Sequence, residues 1–370
     1  MIHTSCRQPT IAVPGDREAN EHAENRAGDR HQPNLDLARS IAILMVVGYH
    51  CIQWLSPGAG WVRTFFPVGA FGVDLFFALS GYLIGGIYWR EHFKHGHVRP
   101  IRFVLRRAAR TMPPYFVALS IAYAGVYFSR GEPFDAGYLF FTQNYQDQMP
   151  FFLVSWSLCI EEHFYIALPL LLALLLRWAG AAVVWWLLLL ALLPAALRAL
   201  SVEANSMEFS YSTTATHLRF DGLLFGVIAA YFRATVLRTY IAGRGMRWSV
   251  AALAVAILVA RPFVPDPVMY VWGLLALALV FSGLILVWDA SPVIPSAGNA
   301  LNRAIARSSY SVYLTHSVAI HGAMSFAALA GVQYWPVKLC LMLVLTGLLG
   351  WCMYHLIERP TIEARNRLVP

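Results

Sequence analysis

Ten apolar stretches recur along the chain, near 37–55, 67–89, 111–129, 153–176, 181–200, 213–232, 248–263, 268–289, 308–330 and 336–357. Each approaches the roughly 20 residues that a helix rising about 1.5 Å per residue needs to cross a hydrocarbon core about 30 Å thick. The pattern predicts an all-α, polytopic membrane protein with about ten transmembrane helices. An even number of crossings places both termini on one side. Most of the 28 Lys and Arg fall on that side, in the first 39 residues, in 90–110, in 233–247, around 303–307 and after 358. Positive charge concentrates on cytoplasmic loops, so both termini are expected in the cytoplasm. Two boundaries are soft: the short turn near 177–181, and the seventh stretch, where Arg261 and two prolines cut the apolar run.

Within the first span, "LDLARSIAILMVVGYH" (35–50), the polar residues follow the helical period. At 100° per residue, Arg39 and His50 fall about 20° apart on the helix wheel and Asp36 about 40° from His50. A charged side chain costs roughly 2.5–3.5 kcal/mol at a bilayer centre, so this stripe is expected to face protein or a wet cavity. Asp36 and Arg39 could simply mark the helix start at the headgroups. His50, about 16 Å deeper, has no such explanation.

Composition agrees with the pattern and excludes rival classes. Of the 370 residues, 58% are hydrophobic and only 13% are charged, with a mean hydropathy of +0.55, outside the range of a soluble globular domain. The net charge of +8 lies between apolar spans instead of forming a stripe interleaved with aromatics, which argues for membrane topology and against nucleic acid. The five cysteines (Cys6, Cys51, Cys159, Cys340, Cys352) form no CxxC pair, so neither disulfides nor a metal site are expected. Residues 1–34 are polar and mixed in charge, and read as a disordered tail and not as a cleaved signal peptide. No phosphate-binding glycine loop, nucleophile elbow or HExxH occurs. The absence of an internal repeat disfavours secondary transporters, many of which show one. Two GxxxG runs, Gly81 to Gly85 and Gly222 to Gly226, read as helix-packing sites.

Further polar residues interrupt the later spans. Asp74 and Ser80 lie in "FGVDLFFALSGYLIGG"; Asp74 has either a packing arginine or a direct role, while Ser80 alone can bond back to its own helix. In "RFVLRRAARTMPPYF" (102–116), Arg107 and Arg110 are three apart on one helix face, where their guanidinium forks suit phosphates; Arg102 reads as a topology anchor. In "WSLCIEEHFYIALPLLL", Glu161 and Glu162 are neighbours pointing about 100° apart, so they cannot form an aspartic-protease-like dyad, whereas Ser157, Glu161 and Tyr165 share a face. "THLRFDGLLFG" carries His217, Arg219 and Asp221, as a structural ion pair or as part of a substrate site. "ARSSYSVYLTHSVAI" aligns Ser309, Tyr313 and His316, and a satisfied bundle histidine is the plainer reading of His316. "HLIERP" (355–360), with Glu358, Arg359 and Pro360, reads as a helix stop at the membrane surface.

Together these stretches resemble the acyltransferase-3 family of integral membrane O-acyltransferases, in family order from residue 35 to 360. The resemblance implies an enzyme that transfers an acyl group, most often acetyl, from cytoplasmic acyl-CoA to a hydroxyl of a bacterial surface polysaccharide such as lipopolysaccharide O-antigen, or of peptidoglycan, a nodulation factor or a macrolide. Acetyl-CoA would be a donor substrate, with no permanently bound cofactor, and the location the bacterial inner membrane. The family's arginine–ten–histidine motif falls on Arg39 and His50, its RxxR on Arg107 and Arg110, its tryptophan–serine–leucine and double glutamate on Trp156, Ser157, Glu161 and Glu162, and its later serine–tyrosine and histidine on Ser309, Tyr310 and His316. His163, Ala306 and Met112 depart from the usual glutamine, glycine and aromatic. The implied organisation is a tail over 1–34, a membrane-embedded acyltransferase domain over 35–360, a short cytoplasmic tail over 361–370, and no appended esterase-like domain.

The expected roles follow. An acceptor alcohol needs a base near neutral pH, and imidazole is tuned for that range, which makes His50 the candidate, with Glu161, Glu162 or Asp36 as its orienting partner. Arg39, Arg107 and Arg110 would hold the CoA phosphates. Asp74, Ser157, Arg219, Asp221, Ser309, Tyr313 and His316 are candidates for the substrate side. Direct transfer and an acyl-histidine intermediate are both open. The rival class is a proton-coupled multi-span transporter, which also buries His, Glu, Asp and Arg.

Overall fold

The computed structural model describes residues 32–55, 66–146, 148–201 and 211–368, so the predicted N-terminal tail lies, up to residue 31, outside the described residues. Among the described residues there is no strand, and eleven longer helices carry the fold. They are α1 (Pro33–Leu55), α2 (Gly72–His95), α3 (Pro100–Arg130), α4 (Trp156–Ala179), α5 (Val183–Ser201), α6 (Asp221–Ala234), α7 (Arg244–Ala260), α8 (Leu274–Asp289), α9 (Ala300–Leu329), α10 (Trp335–Met353) and α11 (Arg359–Leu368).

Among the described residues, eight helical segments are long and apolar enough to span a membrane. Two of the ten predicted spans are not among them. The third is helical throughout α3, 31 residues long, but Pro113, Pro114 and several tyrosines and serines make its uncharged second half less apolar than the others. The sixth, expected over 213–232, is broken: α6 begins only at Asp221 and has 14 residues, about 21 Å of rise and short of a full crossing. A short helical turn, Thr216–Leu218, precedes it, leaving His217, Arg219 and Asp221 at an irregular helix entrance.

The two GxxxG runs pack against each other. A Cβ added at Gly81 would lie 1.9 Å from the Leu223 carbonyl oxygen, one at Gly85 2.8 Å from Val227 Cα, and one at Gly226 2.3 Å from the Ala78 carbonyl oxygen. Only glycine lets α2 and α6 approach so closely. Both helices are tied to the last residue of α8, Asp289, which accepts from the mid-α2 Tyr82 hydroxyl at 2.7 Å and from Arg233 Nε, in the last turn of α6, at 2.9 Å. The start of α1 is fixed by Asn34, whose amide donates to the Trp288 carbonyl at 2.8 Å and whose oxygen accepts the Ile294 amide at 2.8 Å. Asn299 caps α9 by accepting from the Asn302 amide at 2.7 Å.

The chain does not stop at "LIERP". Pro360 has no N–H to give to the Leu356 carbonyl, and the backbone widens over Tyr354–Glu358 into a π turn before continuing as α11. Glu358 is fully buried, so the expected surface stop is an interior position, and most of the expected tail over 361–370 is helix.

Candidate functional site

The stripe predicted on α1 faces inward. Asp36, Ser40, Ile43 and Val47 are buried, Arg39 and His50 are half-buried, and Leu44 and Ile41 on the far side are exposed. The 3.6-residue period therefore sets Arg39 and His50 on one protein-facing line about 16 Å apart.

At the Arg39 end, three guanidinium groups gather. Arg39 donates to Asp36 at 2.6 Å and lies within electrostatic range of Arg107 and Arg110. Arg107 donates to the Tyr165 hydroxyl at 2.9 Å, stacks over that ring at 4.4 Å and lies 3.6 Å from Glu161. Tyr165 donates to Glu161, and Ser80 reaches both, at 2.8 Å from the phenol and 3.2 Å from the carboxylate. Ser80 therefore bonds across helices, not merely back to its own. Arg110 approaches Glu358 at 3.7 Å, and Ser311 donates to the other oxygen of that carboxylate at 2.6 Å. Thr111 donates to Glu162 at 2.8 Å, while its own carbonyl accepts from Tyr310 at 2.8 Å. The side chains of Arg39, Arg107 and Arg110 keep 28%, 20% and 37% exposure, enough to meet an anion. Arg107 Nε has no partner among the described residues.

At the His50 end, the neighbour is another imidazole. The ring of His316 lies 5.0 Å from that of His50, centroid to centroid, and is fully buried. Its Nδ1 is 2.7 Å from the Tyr313 carbonyl oxygen, which only accepts, so Nδ1 carries a hydrogen. Its Nε2 has no hydrogen-bond partner among the described residues. Tyr313 in turn donates to the Val154 carbonyl at 3.0 Å and lies 2.5 Å from the Ser157 hydroxyl, which therefore donates to it. His50 itself is hydrogen-bonded to the Gln53 side chain.

These contacts separate the predicted residues into groups. Arg39, Arg107 and Arg110 come together, as do His50, His316, Tyr313 and Ser157. The three carboxylates expected to orient His50 are engaged elsewhere: Asp36 with Arg39, Glu161 with Arg107, Tyr165 and Ser80, and Glu162 with Thr111. Asp74 is held by Arg219 at 2.9 Å, with Arg219 also 5.2 Å over the Trp156 ring. Asp221 is held by Arg198 at 2.8 Å in the α5–α6 interior. Ser309 bonds back to the Ala306 carbonyl at 2.9 Å. His163 meets the Thr216 hydroxyl at 2.8 Å.

Sequence reasoning passed over Arg198 and took Glu358 for part of a surface helix stop. Each is fully buried and charged, and Arg198 stands in the last turn of an otherwise uncharged, apolar α5, which is the signal that could have flagged it.

Two cavities border α1. The larger, about 660 Å³ between α1, α9 and α10, is lined mostly by apolar side chains and includes none of the predicted site residues. The smaller, about 390 Å³, opens at His50.

A family model described as an acyltransferase domain matches residues 32–355. A Staphylococcus aureus relative, named provisionally as an O-acetyltransferase, is 28% identical over 233 residues, covering 55% of this chain and 35% of its own. The peptidoglycan O-acetyltransferase OatA of Listeria monocytogenes is 29% identical over 171 residues, 41% of this chain and 26% of its own. The O-acetyltransferase OatA of Staphylococcus aureus is 28% identical over 172 residues, 42% and 27% respectively. The alignments thus span about a third or less of these relatives' length. No solved structure matches.

Proposed function

Because the chain belongs to the acyltransferase-3 family, we propose that it is a multi-pass membrane O-acyltransferase that passes an acetyl group from cytoplasmic acetyl-CoA to a hydroxyl of a cell-surface glycan. The observation that carries this reading is the shared line on α1: three partly exposed guanidinium groups gather at one end, and an imidazole bordering a cavity stands about 16 Å along it. A long donor with a phosphate head and a reactive thioester tip fits that separation. The names of the relatives, one of them a peptidoglycan O-acetyltransferase, favour acetyl as the group and a glycan as the acceptor.

In this reading, Arg39, Arg107 and Arg110 bind the CoA phosphates at the cytoplasmic side of a bacterial inner membrane, in keeping with the arginine-rich loops. The 3.7 Å approach of Arg110 to Glu358 is longer than a hydrogen bond, so its fork still has donors for phosphate. Glu161, Tyr165 and Ser80 hold Arg107 in place from behind. His50 takes the proton of the acceptor hydroxyl as the oxygen attacks the thioester carbonyl. The tetrahedral intermediate then collapses to the ester, and the departing CoA thiolate recovers that proton from the imidazolium. Only the acyl group crosses between the two faces. Asp74, Arg219 and Asp221, locked in buried pairs, support the outer ends of α2 and α6 in this scheme and do not touch substrate.

The test uses inverted membrane vesicles carrying the wild-type protein, supplied with acetyl-labelled CoA. Label appearing in glycan is expected, and it should vanish for His50→Ala at equal protein level. Movement of a sugar across the membrane without label would establish a carrier instead.

A further inference from the structure

Beyond His50 the 390 Å³ cavity runs away from the arginines, between α1, α9 and the turn at Leu153 and Val154 that precedes α4. Gln53 and Trp54 follow His50 at three and four residues, so all three look the same way from α1, and Ser317 and His321, four apart, face them from α9. The His321 and Trp54 rings meet at right angles, 4.5 Å between centroids and 74° between planes, which fixes the indole while leaving the residue 42% exposed. A volume of 390 Å³ is at the small end of the roughly 300–1,000 Å³ typical of small-molecule sites and suits one or two rings.

The chemistry of this lining selects among alcohols. A flat aromatic face attracts the C–H face of a saturated ring, while the amide of Gln53, the hydroxyl of Ser317 and the imidazole of His321 can bond to hydroxyls on the ring's edge. An aliphatic alcohol would bury these groups unpaired, at a cost that polar sites use for discrimination. Among the described residues lining the cavity there is no Asp, Glu, Lys or Arg to pair with a charged substituent on the ring.

We propose that this cavity is the acceptor subsite, in which the indole of Trp54 stacks against a neutral sugar ring and Gln53, Ser317 and His321 hold its hydroxyls so that one faces His50. The inference rests on the acyltransferase reading and adds the residues and the class of ring.

The experiment measures acetyl transfer by the purified full chain in detergent, with acetyl-CoA as donor and a panel of acceptors: methyl glycosides of neutral hexoses and N-acetylhexosamines, with cyclohexanol as a ring lacking the extra hydroxyls. The wild type is expected to acetylate at least one glycoside more than about tenfold faster than cyclohexanol. Trp54→Ala should raise the KM for that glycoside about tenfold, leave the KM for acetyl-CoA within about twofold, and narrow the preference over cyclohexanol, while Trp54→Phe should keep most of the acceptor affinity. Ser317→Ala, a small change, should raise the acceptor KM several-fold and serves if Trp54→Ala does not accumulate. An unchanged acceptor KM in these variants, or equal rates on glycoside and cyclohexanol, overturns the subsite while leaving the transferase standing. Label on no alcohol at all overturns both.

Discussion

Gly81→Ala tests the closest approach in the bundle. A methyl group there would lie 1.9 Å from the Leu223 carbonyl oxygen and 2.7 Å from its carbon. Both atoms are backbone, so neither can rotate away, and reaching ordinary contact requires α2 and α6 to part by about 1.5 Å. Parting also loosens the reciprocal contacts of Gly85 and Gly226. Overpacking of this kind costs about 1–3 kcal/mol, against which alanine returns up to about 1 kcal/mol of helix propensity. Gly86→Ala, five residues along and about 140° round the helix, is the control. Its added methyl would come no closer than 3.8 Å, to the mobile end of Arg90, so it should gain propensity without clash. The assay is the midpoint of thermal unfolding in detergent, followed by loss of the monodisperse species on size exclusion, with acetyl transfer measured in parallel. Gly81→Ala should melt clearly below wild type and Gly86→Ala at or slightly above it. Activity should fall in the first because Ser80, the adjacent residue, would move off Glu161 and Tyr165. Equal melting of the two variants would refute the interface as described.

Three further outcomes are expected. His50→Ala should lose about 10²–10⁴-fold in kcat with an unchanged unfolding midpoint, and residual activity near wild type would remove it as the base. Arg107→Ala should raise the acetyl-CoA KM by about 10–100-fold, the worth of a hydrogen bond to a charged group, and Arg107→Lys should restore little because lysine lacks the planar fork; an acceptor-side KM change alone would count against a phosphate role. Arg198→Ala should destabilise by about 3–5 kcal/mol, since it strands Asp221 in the interior, and the double change Arg198→Met with Asp221→Leu should recover much of the loss; a wild-type midpoint for the single variant would contradict the buried pair.

The inward stripe on α1 was legible because Asp36, Arg39 and His50 belong to one helix, whose period fixes their relative directions without reference to anything else. The glycine runs were legible for a similar reason: two small-residue faces need each other in lipid, and there were two. The broken sixth span was not legible. Its composition is apolar enough, and only the need of Asp221 for Arg198 and of Asp74 for Arg219 draws that irregular entrance into the protein. Glu358 was misread as a surface stop because proline usually ends a helix, whereas here a π turn absorbs it and the carboxylate turns inward to Ser311 and Arg110.

The sequence alone determined most of the helical segments and which of their faces are polar, because those properties depend on residues within about a turn of one another, and the order of its motifs along the chain marked the family. The tertiary structure decided which groups meet: Glu161 with Arg107 and not His50, His316 beside His50, and a cavity walled by Trp54 and His321. Such partners sit on different helices, and their meeting depends on how each helix is rotated and at what depth it stands. Close packing of the whole bundle sets both, and no local period encodes them.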